Sequence, residues 1–223
     1  MSKVLERGNI YFFYRPRKEE PSPTGWEELQ RAYVILSPDD GNKHRLITIG
    51  HKKPPEIIPG KAAGEERVWG FVDAVSTRPE DLEDKLEAPV PKRPTSERVR
   101  RLPRPAGEGR YALVEHEDHT HLAYALELPE RPSPLGLEEK PRYPKELLDL
   151  FRGRKFVPVS SPNLLDFENA EIVMIGASED AEQELGIRLD TEKETGNTAD
   201  IFRELKLERQ KHPVAPLFKC EWR

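Results

Sequence analysis

The run from Tyr111 to Leu128 constrains this chain more than any other stretch: Tyr-Ala-Leu-Val-Glu-His-Glu-Asp-His-Thr-His-Leu-Ala-Tyr-Ala-Leu-Glu-Leu. Large apolar and small residues alternate on both sides of a polar centre. That is the pattern of two half-buried antiparallel strands joined by a tight turn. A turn centred on Asp118-His119 sets His116 opposite His121, Val114 beside Ala123 and Ala112 beside Ala125. One face of the hairpin then carries Tyr111, Leu113, Leu122, Tyr124 and Leu126, and the other is lined by small residues. An earlier segment, Tyr33 to Ile49, looks like a weaker copy. Its strands, 32–36 and 45–49, flank Asp40-Gly41, a pair that favours positive φ in a turn. Centring that turn on the pair places Ile35 opposite Leu46, Tyr33 opposite Thr48 and Ser37 opposite His44.

The rest of the chain divides around these hairpins. Residues 9–14, 68–72 and 171–175 are β-branched or aromatic and read as strands, with a short edge strand over 155–159. Thr24 with Glu27, and Thr77 with Glu80, have the form of capping boxes. The second opens a helix with Leu82 and Leu86 on its apolar side and Glu80, Asp81, Glu83 and Asp84 in solvent. Further helices are predicted over 144–151, over 179–185 with Gly186 as the stop, and from Asn197 until His212-Pro213 stops it. Residues 128–143 read as a Pro-rich loop.

In each half a Tyr-led hairpin is followed by a Pro-rich excursion and then an apolar strand running into an acidic helix. The expected fold is therefore α+β: two related β-hairpin–strand–helix modules, as an internal duplication would produce, packed together. Their bounds are 8–87 and 110–186, with a basic Pro-rich linker at 88–109 and a docked helical or extended tail at 187–223.

Composition bounds the setting. Charged residues make up 35% of the 223-residue chain, yet its apolar residues are grouped into patterned segments, which argues for folded structure over disorder. The single cysteine, Cys220, excludes an internal disulfide framework. No apolar run reaches the ~18–20 residues that span a bilayer, and the start lacks the apolar core of a secretory signal. A cytoplasmic protein without a membrane partner is expected.

Two constellations offer chemistry. Directly opposed Cβ atoms in a hairpin lie about 4.5–5.5 Å apart, so His116 and His121 would share one Zn²⁺ or Fe²⁺, completed by Glu117 or Asp118. Against this, acids and histidines at a hairpin tip are ordinary solvated turn residues, and no third ligand stands at a recognisable spacing. The linker cations Arg93, Arg98, Arg100, Arg101 and Arg104 would contact phosphates while Tyr11 and Phe13 stack on bases. Against this, the linker has no interleaved aromatics, and strand alternation buries two of the four rings in 11–14. Gly107 and Gly109 lack a phosphate-loop setting, Ser160-Ser161 lacks a nucleophile elbow, and Cys220 reads as a free tail thiol. The leading expectation is a non-enzymatic cytoplasmic adaptor or regulatory protein that meets a protein partner through its sheet surface and tail. A nucleic-acid binder, and a metal-dependent enzyme centred on His116 and His121, are the alternatives.

Overall fold

The computed structural model describes residues 2–20, 23, 28–41, 43–50, 67–87, 102–116, 119–128, 132–139, 165–176, 185–195, 197–212, 214 and 217–218. Eight strands account for most of them: β1 (Lys3–Pro16), β2 (Leu29–Pro38), β3 (His44–Ile49), β4 (Arg67–Ser76), β5 (Arg104–His116), β6 (His119–Leu128), β7 (Pro132–Glu139) and β8 (Glu171–Gly176). The helices are α1 (Pro79–Glu87) and the single turn α2 (Asp200–Arg203). All strand pairs are antiparallel, and the order β1-β2-β3-β4-β8-β7-β6-β5 closes on itself as a barrel.

The expected α+β fold of two packed modules is therefore wrong. The described residues are mostly antiparallel sheet, with two short helices. The error has a physical origin in residues 104–109. Proline, arginine and glycine there read as linker, but the segment is the first half of β5 and pairs with β1 from Tyr14 to Ile10. A strand edge left open is a liability, and this pairing closes one side of the barrel. On its other side β5 needs glycine at 109: a Cβ at that position would overlap the carbonyl oxygen of Ala125 on β6. The 128–143 loop is corrected too, because it contains β7. Pro132 and Pro134 pair only with β6, since the ladder to β8 begins at Leu135. A strand with one neighbour tolerates proline.

The register of the first hairpin is as predicted, with Ile35 opposite Leu46 and Tyr33 opposite Thr48. Gly41 takes φ 65° in its turn. The duplication fares differently. Each half is a four-stranded meander, β1–β4 and β5–β8. The Tyr111 hairpin is β5–β6 and corresponds in order to β1–β2, whereas Tyr33 to Ile49 is β2–β3. The supposed copies are one strand out of step.

Inside the barrel lie Ile10, Val34, Leu36, Ile47, Ile49, Val72, Tyr111, Leu113, Leu122, Tyr124 and Ile172, one apolar cluster drawn from seven strands. An eight-stranded barrel is just wide enough to be filled by side chains. Leu165, Phe167 and Ala170 join this cluster from the segment that precedes β8. That segment is fixed by backbone bonds between Val72 and both Asn169 and Ala170. Arg45, only 3% exposed, clamps it electrostatically. Its Nε donates to Asp166 Oδ1 (2.7 Å) and its terminal nitrogens to Glu6 Oε1 (2.6 Å) and Oε2 (2.9 Å). Lys43 adds a second cation to Asp166, and the Tyr111 hydroxyl donates to Glu6.

The outer face is covered as well, which explains the continuous apolar runs in β1 and β2. Tyr11, Phe13, Tyr33, Ile35, Leu46 and Ala74 point outward and are buried under Leu82 and Leu86 of α1 and under Ala199, Ile201, Leu205, Leu207 and Leu217. The lean face of β5–β6, with Ala112, Val114 and Ala123, accepts Leu185 and Leu189.

Candidate metal centre

Helix α1 starts at Pro79, where the missing N–H costs nothing. Ser76 Oγ accepts the backbone N–H of Arg78 (3.1 Å) and its hydroxyl meets Asp81 (2.6 Å), which holds the first turn. Leu82 and Leu86, four residues apart, bury one side against the sheet. The next position of each turn, Glu83 and Glu87, therefore forms an adjoining carboxylate pair on the flank of the helix. Along that flank runs the C-terminal segment. There a turn in which Glu208 accepts the N–H groups of Lys211 (3.0 Å) and His212 (3.2 Å) brings His212 to face the carboxylates.

The His212 side chain is fully buried. Its Nδ1 lies 2.7 Å from the Pro103 carbonyl oxygen, which can only accept, so Nδ1 carries the proton. In the neutral ring Nε2 carries a lone pair that faces two carboxylates, 3.5 Å from Glu83 Oε1 and 3.7 Å from Glu87 Oε1. These three atoms are buried and make no hydrogen bond. Together these atoms call for a positive charge between them, supplied by a metal ion or by a proton on Nε2. All three lie within 4.8 Å of one another, and among the described residues they form the one group of three metal-ligating side chains this close. Ligands at ~2.0–2.2 Å from a tetrahedral Zn²⁺ sit about 3.4 Å apart, close to the spacing seen here. The carbonyl bond to the distal nitrogen is the usual outer-shell partner of a metal-bound histidine. Lys211 Nζ, 3.9 Å from Glu83 Oε1, is the nearest competing cation and is itself held by Glu208 at 2.9 Å.

The residues singled out from the sequence fall elsewhere. The β5–β6 register places His121 opposite Val114 and His116 opposite His119, two residues away from the expected pairing. His121 is half-buried on the outer face. The side chains of His116, Glu117 and Asp118 lie outside the described residues, as do Arg93, Arg98, Arg100 and Arg101. Arg104 opens β5 opposite Tyr14. Tyr11 and Phe13 are buried beneath the C-terminal segment, so neither ring presents a face to a base. Ser37 Oγ and His44 Nδ1 do meet, at 2.6 Å, and both are buried, a satisfied structural pair across the hairpin.

In the sequence Glu83 stands among the wet acids of its helix and His212 at a helix stop. The one signal available was Glu-x-x-x-Glu on an amphipathic helix, and its third ligand stands 125 residues on.

A second polar group sits at the start of α2. The Glu108 carboxylate accepts the N–H groups of Asp200 (3.2 Å) and Ile201 (2.9 Å). Burial pushes its pKa up to about 7, aided by the charges of Glu194 and Asp200 and opposed by those two bonds. Asn9 donates to Asp200 (3.0 Å) and Glu204 (2.9 Å), and the Tyr11 hydroxyl also donates to Glu204.

Comparison of the chain with protein-family models, with curated proteins and with solved structures finds no match. No described helix is long and apolar enough to cross a membrane.

Proposed function

We propose that this protein is a non-enzymatic, metal-binding regulatory protein: a filled β-barrel that holds one divalent cation with Glu83, Glu87 and His212. The observation that carries the reading is the meeting of three buried, hydrogen-bond-free acceptor atoms from two distant segments. One imidazole and two carboxylates suit Zn²⁺, Fe²⁺ or Mn²⁺ and disfavour soft ions that seek thiolate. A filled barrel interior supports a binding role over a catalytic one.

The test is a titration of chelator-stripped protein with each of these three ions, followed by metal analysis after desalting. One equivalent is expected on the wild type. Glu83→Gln and His212→Ala should each lower the affinity by about 10-fold or more, on the scale seen for weakened metal ligation. Retention of one equivalent with unchanged affinity in both variants would refute the assignment.

A further inference from the structure

We infer that the cation is a latch for the C-terminal segment 199–212, so that occupancy of the site decides whether this segment stays on the outer face of the barrel. The inference rests on the metal-binding reading and adds what the ion regulates.

Three features of the segment carry it. First, its described backbone-to-backbone hydrogen bonds stay within residues 195–212, and only the N–H groups of Asp200 and Ile201 reach the barrel, through the Glu108 side chain. Phe202 bonds back to Ala199, Glu204 to Asp200, Leu207 to Ile201, and Lys211 and His212 to Glu208. No rung of the barrel ladder runs through it, so it can leave while every strand pair stays intact. Second, it is fastened by side chains at separate points. Glu108, Asn9 and Tyr11 hold the α2 end, Lys206 pairs with Glu80 at 2.6 Å, and His212 meets Glu83 and Glu87 at the far end. Third, the far fastening is of opposite sign in the two states of the site. With an ion bound, Nε2 and the two carboxylate oxygens are satisfied, and α1 is tied to residue 212 through the metal. Without one, and with the His212 ring neutral, docking sets three acceptors against each other and opposes the apolar contacts of Leu205 and Leu207. A ligand that binds only the docked arrangement must shift the population toward it.

Detachment would uncover part of the outward-facing apolar surface of β1–β3, which the segment covers together with α1 and Leu217. The segment is thus a cover whose closure is linked to a cation.

Hydrogen exchange read by mass spectrometry on the full-length protein tests this, with metal analysis on the same samples. One sample carries one equivalent of Zn²⁺ and the other has been stripped with chelator. Removing the ion should speed exchange at least 10-fold in peptides covering 199–212. Peptides from β1 and β2 should keep their slow ladder exchange. Glu87→Gln, which keeps the side-chain volume but weakens metal ligation, should make exchange in 199–212 insensitive to added Zn²⁺. If metal analysis finds one ion bound but exchange in 199–212 is the same in both samples, the latch is overturned and the metal site stands. If no ion binds, both are overturned.

Discussion

Arg45→Met puts the interior clamp under a direct test. The guanidinium is buried and makes three hydrogen bonds to two carboxylates, Glu6 and Asp166, themselves only 11 and 12% exposed. Methionine fills the volume of the stem but removes the charge. Asp166 keeps Lys43, so the loss falls on Glu6, which retains only the Tyr111 hydroxyl. Breaking one side of a buried ion pair typically costs ~3–5 kcal/mol. With one of the two carboxylates still partnered, the lower end applies, about 3 kcal/mol. For a protein of this size that lowers Tm by roughly 6–12 °C. Thermal and urea unfolding followed by circular dichroism would measure it. The double variant Arg45→Met/Glu6→Gln should recover part of the loss, because the neutral amide leaves no stranded charge. A loss below about 1 kcal/mol, or a double variant no better than Arg45→Met alone, would show that this network does not pin the segment before β8 to the barrel.

Two further perturbations probe the scaffold, and one the pH response. Gly109→Ala places a methyl against the Ala125 carbonyl and should cost about 1–3 kcal/mol or more. Gly107→Ala, whose Cβ would meet the Leu128 carbonyl at 3.3 Å, should cost clearly less, and equal losses in urea melts would contradict the close approach at Gly109. Glu108 titrates at about 7 in the folded protein against an ordinary 4.5, so the folded form holds its proton more tightly than the unfolded one. Its stabilising contribution is therefore complete below about pH 4.5 and is lost as pH rises through 7. Glu108→Gln should exceed the wild type in stability at about pH 8, by at most about 3 kcal/mol, and the difference should vanish by about pH 5. A difference independent of pH in paired urea melts would count against a desolvated carboxylate at this position.

Much of the barrel was legible strand by strand. Residues 9–14, 32–36, 45–49, 68–72 and 171–175 are strands, and α1 buries Leu82 and Leu86 as its spacing requires. The register of β2–β3 followed from Asp40-Gly41 alone. Closure was not legible, because the edge that closes the barrel is written in prolines, arginines and glycines. Residues 104–109 serve as strand through pairing with β1, a tertiary effect that local propensity does not record. The slip at His121 has a related cause. His116 to His121 contains no Asp-Gly or Asn-Gly pair, so nothing local distinguishes a His116–His119 pairing from a His116–His121 one. The metal centre stayed hidden for a third reason. Its ligands come from a surface-like acidic helix and from a tail, and burial of His212 arises only when that tail crosses α1.

The central claim is the cation between α1 and the C-terminal segment. Crystals of protein loaded with one equivalent of Zn²⁺, measured at the zinc absorption edge, test it directly. The account predicts one anomalous peak at ~2.0–2.2 Å from Nε2 of His212 and from one carboxylate oxygen each of Glu83 and Glu87. A fully occupied zinc elsewhere, with these three side chains turned apart or bridged by Lys211, would contradict it.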